Sequence, residues 1–173
     1  MTADKIYLVG FMGAGKTTLA QALARRLGWQ AEDVDAIIEA RERRSVVDIF
    51  AREGEPYFRA LERQVIFSLL PLRHAVVATG GGTFVDAENR AAINADGVSV
   101  WLDLPFEELL ARIPPDGRRP LATDLAQMTR LYEGRRLAYE QAHFRLDAAR
   151  LRPEELIEEL VDALERQPRQ TRQ

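Results

Sequence analysis

The chain has 173 residues, a length that fits one domain with a sizeable core, and its hydrophobic and charged fractions of 46% and 29% exclude disordered and fibrous classes. A net charge of −3 gives no general attraction for polyanions, so no nucleic-acid partner is expected, and the lack of cysteine excludes disulfides and thiolate metal sites. No apolar stretch approaches ~20 residues and the first residues lead into a strand rather than a signal sequence, so no membrane partner and a cytoplasmic location are expected.

The apolar run Ile6-Tyr7-Leu8-Val9 reads as a first strand, and Thr18-Leu19-Ala20-Gln21-Ala22-Leu23-Ala24 reads as the first helix. Between them lies Gly10-Phe11-Met12-Gly13-Ala14-Gly15-Lys16-Thr17, which fits the phosphate-binding pattern G-x-x-x-x-G-K-[ST] in the strand-to-helix context that pattern requires. Glycines let successive backbone N–H groups turn inward around phosphates, and the helix presents its positive end to them. Gly13, Ala14, Gly15, Lys16, Thr17 and Thr18 are therefore the candidate nucleotide-binding residues, with Lys16 reaching the β- and γ-phosphates and Thr17 ligating Mg²⁺. A glycine-rich turn with an incidental lysine would have no reason to carry these flanks as well.

Residues 29–35 read as a short second strand with Asp33 and Asp35 at its carboxyl end, where open α/β sheets bind ligands. On an extended segment these two side chains share one face. Such close carboxylates need a positive neighbour, which Mg²⁺ beside Asp33 would supply, leaving Asp35 to accept a proton from, or orient, an attacking hydroxyl. The alternative is that the two acids cap a helix starting at Ala36.

Ser45 opens a short helix that stops near Gly54, and Pro56 opens a longer one, through Phe67, that turns Phe58, Leu61 and Val65 inward. Arg59, beside that apolar stripe, could fork onto an acidic acceptor or pair within the helix with Glu62. Residues 75–78 form a buried strand that ends in Thr79-Gly80-Gly81-Gly82, which is either a backbone wall that a ligand can approach closely or a plain turn.

Asp86 caps a helix through Ile93, residues 97–102 give a fourth strand, and a helix from Pro105 ends at Arg112 and Ile113. Pro114-Pro115-Asp116-Gly117-Arg118-Arg119-Pro120 breaks that helix and reads either as an arginine-bearing lid or as a solvated loop. Residues 124–142, with Arg135, Arg136 and Tyr139, form a long helix, residues 144–147 a fifth strand, and residues 153–164 a closing amphipathic helix. One domain is expected over residues 1–166, with a polar, frayed tail at 167–173.

Taken together, the chain resembles shikimate kinase almost from end to end. Beyond the phosphate loop, the resemblance rests on Asp33-Val34-Asp35-x-x-Ile38-Glu39, Ile49-Phe50-x-x-x-Gly54-Glu55-x-x-Phe58-Arg59-x-x-Glu62, Gly80-Gly81-Gly82, Arg119-Pro120-Leu121, and Arg135 four residues before Tyr139. It implies an α/β, three-layer P-loop kinase fold of the nucleoside-monophosphate-kinase-like type, with a five-stranded parallel sheet flanked by helices. A substrate-binding region around 33–62 and a lid around 113–124 belong to it. The implied reaction moves the γ-phosphate of ATP to the 3-hydroxyl of shikimate, a step toward chorismate and the aromatic amino acids.

By this resemblance Asp35 holds and activates the hydroxyl, Arg59 and Arg135 grip the shikimate carboxylate, and the Gly80–Gly82 turn contacts the ring hydroxyls. Arg119 reaches from the lid to the phosphates, Arg112 stacks near adenine, and Thr17 with Asp33 serves Mg²⁺. Lys16, Asp35 and Arg119 are the implied catalytic set, and a monomer is expected. Two departures stand out: Arg43 replaces a glycine that commonly ends a helix, and Leu146-Asp147-Ala148 replaces an aliphatic-Asp-Thr triplet near adenine, where altered base contacts are expected. Gluconate kinase, a nucleotide kinase and a non-catalytic nucleotide-binding module are the rival readings, and the absence of Asn-Lys-x-Asp argues against a GTPase.

Overall fold

Three runs with few polar residues form the centre of the sheet: Lys5–Val9 (β1), Ala75–Ala78 (β3) and Val98–Asp103 (β4), in a computed structural model that describes residues 4–113, 124–150 and 152–166. Strands buried on both faces belong to parallel sheets covered by helices on each side. The two edge strands, Gln30–Asp33 (β2) and Phe144–Asp147 (β5), are only partly covered and carry charge. All four pairings are parallel and the strand order is β2-β3-β1-β4-β5.

The helices are Lys16–Leu27 (α1), Val34–Glu42 (α2), Val46–Glu53 (α3), Glu55–Leu69 (α4), Ala87–Asp96 (α5), Phe106–Arg112 (α6), Leu125–Tyr139 (α7) and Pro153–Arg166 (α8). From β1 the chain goes first to β2 and β3 on one side, then to β4 and β5 on the other. The loop after β1 therefore lies at the point where strand order reverses, which is where such sheets form a crevice. On α8 the expected stripe of Leu156, Ile157, Leu160, Val161 and Leu164 is buried.

One expectation needs correction. Asp33 and Asp35 do not share a face of an extended strand: β2 ends at Asp33, and α2 begins at Val34, two residues before the expected start. Asp33 is the N-cap, its Oδ1 accepting from the Ala36 N–H at 3.0 Å, and Asp35 lies in the first turn. The segment prefers helix here because a carboxylate at the N-cap satisfies an orphan N–H and both acids favour the positive helix end. Arg43 takes the left-handed conformation, with φ of 53°, and ends α2 where a glycine would be unstrained. The long helix is shorter than expected, ending at Tyr139 rather than 142.

At the opposite, amino edge of the sheet, the fully buried Lys5 donates to the Leu69 and Leu70 carbonyls at 2.8 and 3.0 Å and to Asp96 at 2.6 Å. Tyr7 donates to the same carboxylate at 2.7 Å. Burying a charge is tolerable only when it is fully partnered, and this network is. It ties α4 and α5 to β1, away from the carboxyl edge.

Candidate active site

The phosphate loop runs from the end of β1 into α1. Gly15 has φ of 88° with open space around its Cα, so it is glycine that permits the turn. Lys16 folds back over the loop, its Nζ donating to the Gly10 and Phe11 carbonyls at 2.8 Å each. Thr17 Oγ1 donates to Asp33 Oδ2 at 2.5 Å, so the helix cap and the loop hydroxyl are joined. Asp33 thus caps α2 with one oxygen, as the alternative reading had it, and faces the loop with the other.

A cavity of about 240 Å³ is lined by Gly13, Gly15, Lys16, Thr17, Thr18, Asp33, Asp35, Thr79, Gly80 and Gly81. Asp35 reaches it from the first turn of α2 even though the extended-strand geometry was not realised. Ala14 is buried beneath the loop and does not line this cavity. A second cavity of about 430 Å³ is lined by Glu55, Arg59, Gly82, Val85, Asp86, Arg130, Leu131, Gly134 and Arg135. Gly80 and Gly81 line the first cavity and Gly82 the second, so this one turn separates the two.

None of these three glycines has positive φ; proximity accounts for them. A Cβ on Gly80 would lie 2.6 Å from Glu62 Oε1 and 3.0 Å from Asp35 Oδ1, one on Gly81 would lie 3.0 Å from Arg135 Nη1, and one on Gly82 would overlap the Arg59 guanidinium. The bare turn is thus what allows four charged side chains to converge.

Arg59 donates from Nη1 to Glu62 Oε2 at 2.5 Å and from Nε and Nη2 to Glu55 Oε1 at 3.2 and 3.0 Å. Glu62 is fully buried and also accepts from Thr83 Oγ1 at 2.6 Å. Burial disfavours the Arg59 charge, but Glu62 and Glu55 outweigh it and hold its pKa above the ordinary guanidinium value. Arg135 differs. Burial pulls its pKa down, Tyr139 only partly offsets that, and Arg59 adds repulsion. Among the described residues no carboxylate lies within ion-pair distance of Arg135, whose guanidinium sits 5.8 Å over the Phe11 ring of the phosphate loop. Tyr139, its hydroxyl pushed up to about 12 by burial, donates to the Gly81 carbonyl at 2.5 Å and so holds the turn against α7.

Glu55, Glu62, Thr83 and Tyr139 were not among the candidate site residues. Glu62 was legible as an (i, i+3) partner of Arg59 and as a member of the motif behind the resemblance, but not as a buried site residue, since its burial depends on the distant glycine turn. Arg112, at the end of α6, is half-exposed and pairs at 3.8 Å with Glu108; it lines neither of these cavities. Ala148 is buried and its N–H donates to the Asp103 carbonyl at 3.0 Å, fixing the turn after β5 without a side-chain hydroxyl. Arg119, most of the expected lid and the tail at 167–173 lie outside the described residues.

The family model for shikimate kinase matches residues 12–165. The chain belongs to the shikimate kinase family. A shikimate kinase of Persephonella marina is 39% identical over 157 residues, spanning 90% of this chain and 96% of that one. The crystal structure of shikimate kinase from Aquifex aeolicus superposes with a TM-score of 0.84 at 36% identity, covering 93% of this chain and 96% of that one. Shikimate kinase from Acinetobacter baumannii in complex with shikimate gives a TM-score of 0.88 at 34% identity, over 94% of this chain and 93% of that one. The family thus accounts for the expected five-stranded parallel sheet flanked by helices, which the topology bears out.

Proposed function

We propose that this protein transfers the γ-phosphoryl group of ATP to the 3-hydroxyl of shikimate, releasing ADP and shikimate 3-phosphate. The observation that carries the reading is the shared glycine wall: a phosphate cradle with Asp35 on one side, and two arginines, Arg59 and Arg135, on the other. A ring acid whose carboxylate meets the arginines can present a hydroxyl across that wall to Asp35. Family membership and a shikimate-bound relative support the acceptor's identity.

In the reaction the hydroxyl oxygen forms a bond to the γ-phosphorus as the bond from that phosphorus to the bridging oxygen breaks, and ADP leaves with that oxygen. Asp35 orients the hydroxyl and takes its proton, a contribution of about 10²–10⁴ in rate for a well-placed base. Lys16 neutralises the oxygens of the transferring group, and the backbone N–H groups of residues 13–18 hold the remaining phosphates. Arg135 gains most from the acceptor, because an anion offsets the cost of burying its charge, which no carboxylate among the described residues does at ion-pair distance.

The donor set fits Mg²⁺: a Thr17 hydroxyl and an Asp33 carboxylate, hard oxygens already in contact, with no cluster of three or more metal-binding side chains among the described residues. Such a site suits an ion held by one or two protein oxygens together with nucleotide phosphates. When bound, Mg²⁺ would supply charge neutralisation at the β- and γ-phosphate oxygens. We infer a cytoplasmic monomer, since both halves of the site come from one chain and no described helix is long and apolar enough to cross a membrane. We assign Arg119 the role of bringing charge to the transferring group from the lid and Arg112 a place beside adenine.

The test is ADP release with MgATP and each of shikimate, gluconate and AMP. Turnover with shikimate and not the others is expected; preference for gluconate or AMP would overturn the acceptor.

A further inference from the structure

The two arginines that face the acceptor cavity are in opposite conditions. Arg135 is buried without a carboxylate among the described residues, whereas Arg59 already holds two. Of those two, Glu62 is fully buried and also held by Thr83, so it cannot leave without stranding the Thr83 hydroxyl and the guanidinium. Glu55 is different: its side chain is 48% exposed, it lies in the first turn of α4, and it lines the cavity itself. Its Oε1 accepts from both Nε and Nη2 of Arg59, which is the edge that a carboxylate ligand uses for a fork-like contact. An acceptor carboxylate arriving between Arg59 and Arg135 therefore meets a like charge already seated on one of its two partners.

We propose that Glu55 is an internal competitor for the acceptor's carboxylate, a positioning residue that occupies the Arg59 fork in the free protein and swings to solvent when the acid binds. The inference rests on the acceptor reading above and deepens it. Half its surface is in water, so release costs Glu55 little, and the (i, i+4) contact it gives up is of the weak exposed kind. The exchange keeps Arg59 hydrogen-bonded in both states, so the guanidinium is never left bare in a cavity. It also limits how tightly acid and phosphorylated product are held, because each must displace the same side chain.

The consequence is counter-intuitive for a residue in contact with a binding arginine: removing it strengthens binding. If the fork is open in roughly 10–30% of free molecules, freeing it raises apparent acceptor affinity ~3- to 10-fold. The experiment is calorimetric titration of the full-length wild type, Glu55→Gln, Glu55→Ala and Glu55→Asp with shikimate and, separately, with cyclohexenecarboxylate, which has the carboxylate without the hydroxyls. Glu55→Asp keeps the charge at the helix start but shortens its reach, so it isolates occupation of the fork from overall charge.

All three variants are expected to bind both acids more tightly, with MgATP affinity unchanged and KM for shikimate lowered more than kcat. Unchanged or weaker binding in variants whose thermal unfolding matches the wild type would overturn the proposal and make Glu55 a simple prop for Arg59. Failure of the wild type to bind shikimate would overturn the acceptor reading instead, while the cyclohexenecarboxylate titrations would still report whether Glu55 competes.

Discussion

The phosphate cradle draws on residues 10–18, one strand end, one turn and one helix start, with Asp35 of α2 beside it, whereas the acceptor wall draws on α4, the glycine turn after β3, and α7. The cradle is held by short-range bonds, such as those from Lys16 Nζ to carbonyls five and six residues away. The wall is held by contacts between distant segments: Glu62 to Thr83, Tyr139 to Gly81, Arg135 over Phe11. The first kind of structure is set mainly by its own local sequence. The second requires several elements to dock correctly before any of its charges is properly placed. Changes in the cradle should therefore act on the chemical step, and changes in the wall on acceptor binding.

The sharpest break of that comparison is at the chemistry itself. Lys16→Met should lower kcat by about 10²–10³, the cost of removing a preorganised charge from the transition state, with shikimate affinity retained. Asp35→Asn should lower kcat by about 10²-fold or more with nucleotide affinity nearly intact. Steady-state rates combined with direct binding of each ligand check both; undiminished turnover in either variant would remove that residue from its role.

The acceptor wall should respond in the other parameter. Gly82→Ala puts a methyl group into the Arg59 guanidinium, and the flexible end of that side chain can move aside at little cost to folding. Thermal unfolding should stay near wild type while KM for shikimate rises about tenfold, since small displacements of a clamp are costly. Arg59→Lys should also raise KM, because an ammonium cannot reproduce the fork. A fall in kcat without a change in KM for either variant would mean that the wall and the cradle are not separable in this way.

The same division explains what the sequence disclosed. Lys16 and Thr17 were legible as candidates because the phosphate-binding pattern lies in eight contiguous residues whose flanks fix the backbone. The order of strands and helices followed from apolar runs and caps, with boundaries off by a few residues, as at Val34, where the N-cap carboxylate brought the helix forward. Gly80, Gly81 and Gly82 were legible as a place of close approach, but what approaches was not: Glu62, Arg135 and Arg59 come from elements ~20–55 residues away in sequence, and no local pattern encodes that docking. Glu55 and Glu62 look from sequence like ordinary helix-surface acids at (i, i+4) and (i, i+3) to an arginine. Only burial on one of them, and cavity exposure on the other, separates their roles.

The smallest expected effect lies outside both halves and serves as their control. His143, just before β5, accepts the Ser99 backbone N–H at Nδ1 at 3.1 Å, and its own N–H donates to Ser99 Oγ at 3.0 Å, joining the two strands on the far side of the sheet from α2. Desolvation by burial lowers its pKa below the ordinary histidine value of 6.5, and protonation would also remove the acceptor that Nδ1 provides. The unfolded chain therefore binds this proton more readily than the folded one, so stability is complete above about pH 6.5 and declines as the pH falls through that value toward the folded pKa. Because His143 is only partly buried, the change should be modest. His143→Asn, whose Oδ1 can take the same N–H, should flatten this part of the pH profile of urea unfolding while leaving kcat and both KM values at wild-type levels. A profile equally steep in the variant would assign the slope to other groups, and altered kinetic constants would mean that the β4–β5 edge communicates with the site it was chosen to be independent of.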